Sequence, residues 1–182
     1  SKDYLSNLIE SKGIYILLEA CKLLNNRDIL FSCDFIGAEG DINKKDLQKE
    51  IDRLLLSSKV KYLGKKYGNE KHIEFLNADI FAFPTYYPNE CFPLVLLEAL
   101  QYNIPIVSTF EAGIPDLIDN GKNGFLVSQK NAIELSERLE ILIKDSGLRK
   151  QMGMEGNKKY NQQFTLSIFE NNMLNILFNI IK

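Results

Sequence analysis

Two carboxylates bracket the start of an apolar run in this chain, Glu90 and Glu98 in the segment ECFPLVLLE. Pro93 disfavours helical backbone at Phe92, and proline suits the first position of a helix. A helix is therefore expected to begin at Pro93. The N–H groups of Leu94 and Val95 then have no acceptor within it and face the preceding loop. Such donors, together with the positive end of the helix dipole, make a site for a diphosphate. Glu98 lies further along, among Leu94, Val95, Leu97 and Leu100. A carboxylate there is costly unless donors reach it, and the two hydroxyls of a ribose would. Glu90 stands just outside the helix start, where a sugar attached to the diphosphate would sit. One extended ligand thus satisfies all three positions. The spacing fits equally well a surface Glu98 and a Glu90 that only complements the helix dipole.

Two other loops carry related signals. Ser108–Asp116 contains the small residues Ala112 and Gly113 before Ile114 and Pro115, and a small-residue turn after a strand lets backbone approach a phosphate closely. An ordinary strand-to-helix turn reads the same way. Lys12 stands at a helix start, an unfavourable place for a cation by dipole logic, which points to anion binding; a lysine snorkelling to solvent is the alternative. The single histidine, His72, falls on a short polar helix and reads as solvated. Cys21, Cys33 and Cys91 have no CxxC spacing and read as reduced, packing thiols of a cytosolic protein. A basic knot of Lys59, Lys61, Lys65, Lys66 and Lys71 reads first as a solvated charged edge, with an anion or membrane-surface role as the alternative. No phosphate-binding glycine motif, metal-ligand cluster or Ser/His/Asp arrangement is present.

The elements that must position these residues alternate between strands and helices. Strands are expected over residues 4–8, 30–36, 60–63, 80–83, 106–109 and 125–127. Helices are expected over residues 13–24, 44–56 (with Leu47, Ile51, Leu54 and Leu55 inward), 69–77 and 94–102. Residues 115–119 suggest one helical turn, the run 120–124 is a turn, and three further helices cover 131–144, 148–162 and 166–181. This alternation predicts a parallel sheet covered on both faces, with ligands bound beyond the carboxyl ends of its strands.

A chain of 182 residues with 45% hydrophobic and 25% charged residues has the size and make-up of one globular α/β domain. Its net charge of −2 and scattered lysines argue against nucleic acid as a partner. The longest apolar run is too short to span a bilayer, and no signal peptide is apparent.

Taken together, these segments resemble the C-terminal, donor-binding domain of a retaining GT-B glycosyltransferase of family 4. ECFPLVLLE matches that family's Glu-x7-Glu signature. IPIVSTFEAGIPDLIDNGKNGFLV resembles its loop, short helix and Asn-Gly turn, and SNLIESKG with the following LLEA resembles its donor-phosphate loop. The matches run from about Leu5 to the C-terminus. The resemblance implies a Rossmann-like three-layer α/β/α fold, one half of a GT-B enzyme, over residues 1–182. It implies that Glu98 binds the ribose, that Glu90 binds and orients the donor sugar, and that Lys12 holds the diphosphate leaving group, so that Glu90 and Lys12 are the catalytic residues. Backbone of Phe92, Pro93, Leu94 and Val95, and of Ala112, Gly113 and Ile114, would complete the cradle, with Gly64 and Lys65 near the base. No metal or cofactor is implied, because protein cations and helix N–H groups stabilise the departing nucleotide diphosphate. The donor, UDP- or GDP-linked, is a substrate.

The sequence departs from that family's pattern in two places. Ser6-Asn7 stands where the family usually has Gly-Arg, so Asn7 lacks the guanidinium's bidentate grip and Lys12, or Lys65 and Lys66, would carry more of the load. Pro93 stands where many members have Gly. The family also has an N-terminal acceptor domain, for which this chain has no counterpart. A strand tail with nothing before it predicts a domain cut from a longer protein, with the last helix (Phe169, Met173, Leu177 and Ile181 in register) a candidate to cross back to that missing half. The expected partners are then a glycan or lipid-linked acceptor, in bacterial surface polysaccharide or glycolipid assembly, with the enzyme cytoplasmic or peripheral at the inner membrane face. The alternatives are a nucleotide-sugar 2-epimerase of the same fold and a non-catalytic sugar-nucleotide-binding module.

Overall fold

The computed structural model describes residues 2–180. Six parallel strands form one sheet: β1 Lys2–Leu5, β2 Cys33–Ile36, β3 Val60–Gly64, β4 Ile80–Phe83, β5 Ile106–Thr109 and β6 Gly124–Val127. Their order is β3-β2-β1-β4-β5-β6. The chain therefore lays its first three strands outward in one direction, returns to the other side of β1, and continues outward again. The strand order reverses between β1 and β4, whose register pairs Lys2 with Ile80 and Asp3 with Phe81. A doubly wound sheet opens a crevice at such a reversal, beyond the carboxyl ends of the two strands.

The central strands are buried throughout: every residue of Ile80–Phe83 and of Ile106–Thr109 is inaccessible, as expected where helices cover both faces. The helices are α1 Ile14–Asn26, α2 Lys44–Arg53, α3 Gly68–Asn77, α4 Leu94–Gln101, α5 Ile114–Leu117, α6 Ala132–Lys144, α7 Ser146–Gln163 and α8 Leu166–Ile180. Asn43, Asn131 and Asp145 cap α2, α6 and α7 by accepting from backbone N–H groups of the first turn. Helix α1 buries Ile14, Leu17, Leu18, Cys21 and Leu24, each isoleucine or leucine contributing about 1.5–3 kcal/mol of apolar transfer. Its C-terminal Arg27 donates to Glu140 at 2.6 Å and to Ser136 at 2.8 Å on α6.

Two expectations need correction. The strand expected over 30–36 begins only at Cys33, and Leu30 is 84% exposed. Its neighbour β3 starts at Val60 after a turn over 57–59, so residues 30–32 have no β3 ladder to join. Helix α2 ends at Arg53, and Leu55 turns outward with a left-handed φ of 59°. On α8, Phe169 and Met173 are exposed, while Ile181 and the side chain of Leu177 lie outside the described residues. Among the described residues, no helix is long and apolar enough to cross a membrane.

Candidate functional site

The crevice at the β1/β4 reversal is a cleft of about 450 Å³ whose walls include Asn7, Lys12, Glu90, Leu94, Val95 and Glu98. Its two sides are stitched together. The loop after β1 runs into a 3-10 turn, Glu10–Lys12, which ends on Gly13 at φ 85°. A Cβ at Gly13 would sit 2.1 Å from the carbonyl oxygen of Pro84, so only glycine permits this approach to the loop after β4. The Tyr86 N–H donates to the Ser11 carbonyl at 2.7 Å. Thr109 and Ser108, at the end of β5, donate their hydroxyls to the carbonyls of Thr85 at 2.5 Å and Phe83 at 2.6 Å. The loop after β4 is thus anchored on both sides.

Lys12 is carried at the end of the 3-10 turn, with its ammonium 5.9 Å from the Phe83 ring centroid and 5.7 Å from that of Tyr87. Aromatic faces at that distance attract a cation. The ammonium lies 3.8 Å from Oε2 of Glu90, too far for a hydrogen bond. That oxygen is buried and has no hydrogen-bond partner among the described residues. A carboxylate oxygen in this state retains its full accepting capacity for a hydroxyl.

Helix α4 points its N-terminus into the cleft. Pro93 is its N-cap, with an extended backbone, one residue earlier in role than the proline-first helix expected from sequence. Its carbonyl accepts from the Leu96 N–H at 3.0 Å. The N–H groups of Leu94 and Val95 remain as the first two of the helix, for which no intrahelical acceptor exists. One turn on, Glu98 receives the ammonium of Lys71 from α3 on both carboxylate oxygens, each at 2.7 Å. Lys71 belongs to the basic knot read from sequence as a solvated edge; the structure instead puts it on the wall of the cleft.

The other expected residues are placed as follows. Asn7 is exposed on the cleft wall, and its carbonyl accepts from the Ile9 N–H at 2.8 Å. Phe92 forms part of the wall, 6.0 Å from the Phe164 ring. Gly64 and Lys65 do not line this cleft. The Gly64 carbonyl accepts from Gly37, and the Lys65 ammonium stacks 4.4 Å over the Tyr67 ring. Ala112, Gly113 and Ile114 do not line it either. The Gly113 N–H donates to the Cys91 carbonyl at 3.2 Å and that of Ile114 to Glu111 at 3.0 Å, so both donors are already used. A Cβ at Gly113 would lie 2.8 Å from the Cys91 carbonyl, which makes this loop a brace behind the Cys91–Phe92 wall. Cys91 is exposed, against its expected packing role, while Cys21 and Cys33 are buried. His72 is exposed and hydrogen-bonded to the Tyr102 hydroxyl. Among the described residues, no group of three or more His, Cys, Asp and Glu could hold a metal ion.

Two cations, an open helix N-terminus and two carboxylates therefore share one cleft. Such a site can hold an anion flanked by two hydroxyl-bearing groups.

The known proteins to which this chain is similar are sugar transferases. It is 28% identical over 165 residues to the capsular polysaccharide biosynthesis glycosyltransferase CapM of Staphylococcus aureus, covering 91% of this chain and 42% of that protein. It is 32% identical over 138 residues to the putative colanic acid biosynthesis glycosyltransferase WcaL of Salmonella typhimurium, covering 74% and 34%. The chain thus spans less than half the length of these curated relatives. Among solved structures, HepE of Anabaena in complex with UDP superimposes with a TM-score of 0.88 at 23% identity, over 98% of this chain and 48% of that one. The C-terminal domain of LpcC, a glycosyl transferase group 1 family protein of Francisella tularensis, superimposes with a TM-score of 0.79 at 22% identity, over 91% and 86%. The fold is that of a GT-B glycosyltransferase domain. The sequence profile of the glycosyl transferases group 1 matches residues 4–159, and on that match the chain belongs to this family of glycosyltransferases.

Proposed function

We propose that this chain is the donor-binding half of a retaining glycosyltransferase of family 4, acting with an N-terminal acceptor domain in bacterial surface polysaccharide or glycolipid assembly. The observation that carries the reading is the cleft itself. The α4 N-terminus, Lys12, Glu90 and Glu98 all line it, with the Lys12 ammonium 3.8 Å from Glu90. The ribose hydroxyls of a UDP- or GDP-sugar donate to Glu98. Its diphosphate receives the N–H groups of Leu94 and Val95 and the Lys12 ammonium. A hydroxyl of the sugar donates to the unpartnered Oε2 of Glu90.

In transfer, the bond between the anomeric carbon and the diphosphate oxygen breaks, and the acceptor oxygen bonds to that carbon on the same face. The acceptor's proton leaves with the diphosphate. Lys12 and the helix N–H groups stabilise the charge that develops on the leaving group. HepE was solved with UDP, which favours a uridine donor. The capsular and colanic acid relatives favour a surface glycan as product, and such an enzyme works in the cytoplasm or at the inner membrane face.

The test is calorimetric titration with UDP, GDP and ADP, repeated on Glu98→Ala. Selective binding of one diphosphate, weakened in the variant, is the expected result; full-length protein that binds none would sink the reading. A non-catalytic sugar-nucleotide module is the second reading, favoured by the neutral Asn7 on the cleft wall. Donor turnover in the presence of acceptor separates the two.

A further inference from the structure

Among the described residues, the ionisable side chains lining the cleft are Lys12, Lys71, Glu90 and Glu98, two cations matched by two carboxylates. A diphosphate adds negative charge to this balanced set. The two cations are held differently. Lys12 stands 3.8 Å from Glu90 without a hydrogen bond, whereas Lys71 makes two hydrogen bonds of 2.7 Å to Glu98. The neighbouring lysines are committed elsewhere: Lys65 to the Tyr67 ring, and Lys66 to Glu70 at 4.0 Å and Glu74 at 3.8 Å.

Resting on the donor-site reading, we infer that Lys71 is the second diphosphate-binding cation of this cleft, stored on Glu98 until the donor's ribose takes its place. Ribose hydroxyls donate to the same carboxylate oxygens that Lys71 occupies. Their arrival releases the ammonium. Glu98 lies four residues beyond Leu94, about 6 Å along the helix axis, and the flexible four-carbon lysine stem spans that distance. Released, the ammonium meets the phosphate oxygens held at the α4 N-terminus. The cation supplied by α3 thereby stands in for a side chain that Asn7 does not provide. The exchange also keeps Glu98 from being left as an unpaired carboxylate in a half-buried site before the donor arrives.

A double-mutant cycle tests this on the full-length protein, reading affinity for UDP, GDP and ADP by calorimetry for the wild type, Lys71→Met, Glu98→Gln and the double variant. Thermal melting checks that each is folded, and Lys71→Gln replaces the Met variant if that one melts early. The expected result is a loss of about tenfold in diphosphate affinity from the Lys71 change that persists in the Glu98→Gln background. A loss that vanishes in that background would mean that Lys71 only positions Glu98, and the inference falls. No loss in either background overturns it as well. Wild-type protein that binds no nucleoside diphosphate overturns the donor-site reading itself, a failure distinct from wild-type binding that is indifferent to Lys71.

Discussion

Lys12 and Glu90 lie 3.8 Å apart on the wall of the cleft, and the Glu90 oxygen nearest the ammonium is buried without a hydrogen bond among the described residues. They come from loops after different strands, β1 and β4, that meet at the reversal of strand order. A structural ion pair would close to hydrogen-bonding distance. This pair stays open because Lys12 is also held between the Phe83 and Tyr87 rings. An acceptor left unmade in a folded protein costs stability, and a functional site is where that cost is tolerated.

Glu90→Gln should therefore leave the fold intact and remove the function. Stability is expected to stay within about 1 kcal/mol of the wild type, or to rise, because a buried, poorly satisfied carboxylate is replaced by a neutral amide. Sugar transfer is expected to fall on the order of a hundredfold. Melting curves and nucleoside diphosphate release in the presence of acceptor measure the two. A melting point lowered as far as by a core truncation would assign Glu90 to the fold.

Gly13→Ala tests the stitch between the two walls. The alanine must adopt φ 85° and place its Cβ 2.1 Å from the Pro84 carbonyl oxygen, adding overpacking to left-handed strain. The expected cost is about 3 kcal/mol or more. Gly121→Ala is the control. It has a similar φ of 81° with nothing within 4 Å of the added carbon, so strain alone acts and the cost is roughly 1–2 kcal/mol. Denaturant midpoints of the two variants should separate clearly. Equal midpoints would mean that the loops after β1 and β4 move apart without difficulty, and that the cleft is less preorganised than its contacts indicate.

Much of this arrangement could be read from residue order alone, and what could not has a common cause. The β1, β4 and α4 boundaries follow from local signals: apolar runs, Pro84, and Pro93 before LVLLEALQ. The meeting of Glu90, Glu98 and Lys12 in one cleft follows from where those elements end. The partner of Glu98 does not, because Lys71 lies 27 residues away on another helix, and no helical spacing rule links them. The role of 112–114 was hidden for a similar reason. A small-residue turn has the same composition whether its N–H groups face a ligand or, as here, the Cys91 and Glu111 carbonyls. Leu30 illustrates the reverse error, since an apolar residue beside a strand need not be paired when the neighbouring strand begins later.

Acid should weaken the fold through carboxylates far from the cleft. The side-chain hydrogen bond from Arg53 holds Glu50 below the ordinary carboxylate range, and those from Lys144 and then Arg27 do the same for Glu140. A carboxylate depressed in the folded state stabilises it at pH values above the unfolded pKa and loses that contribution as pH falls through the folded one. The melting temperature should therefore decline as pH drops below about 4.5. The pairs are solvent-screened, so each contribution is small. Arg53→Met and Arg27→Met should flatten the decline; an unchanged pH profile in both would place the acid sensitivity elsewhere.

The last expectation concerns Asn7, the neutral residue on a wall that otherwise offers two cations. Its side chain is exposed to the cleft, so Asn7→Arg can be made without displacing packed atoms. A guanidinium there adds a planar, bidentate phosphate donor, and nucleoside diphosphate affinity should rise by roughly tenfold. The informative background is Lys71→Met. If the cleft lost a phosphate cation with Lys71, the arginine at position 7 should restore most of the missing affinity, whereas the proposed Glu98 contact to ribose, which the arginine cannot reproduce, should leave its own signature as a loss for Glu98→Gln in every background. Titration of the four combinations with UDP decides it. An arginine that tightens binding only when Lys71 is present would show that the two cations act on different parts of the ligand, and that Asn7 sits away from the diphosphate.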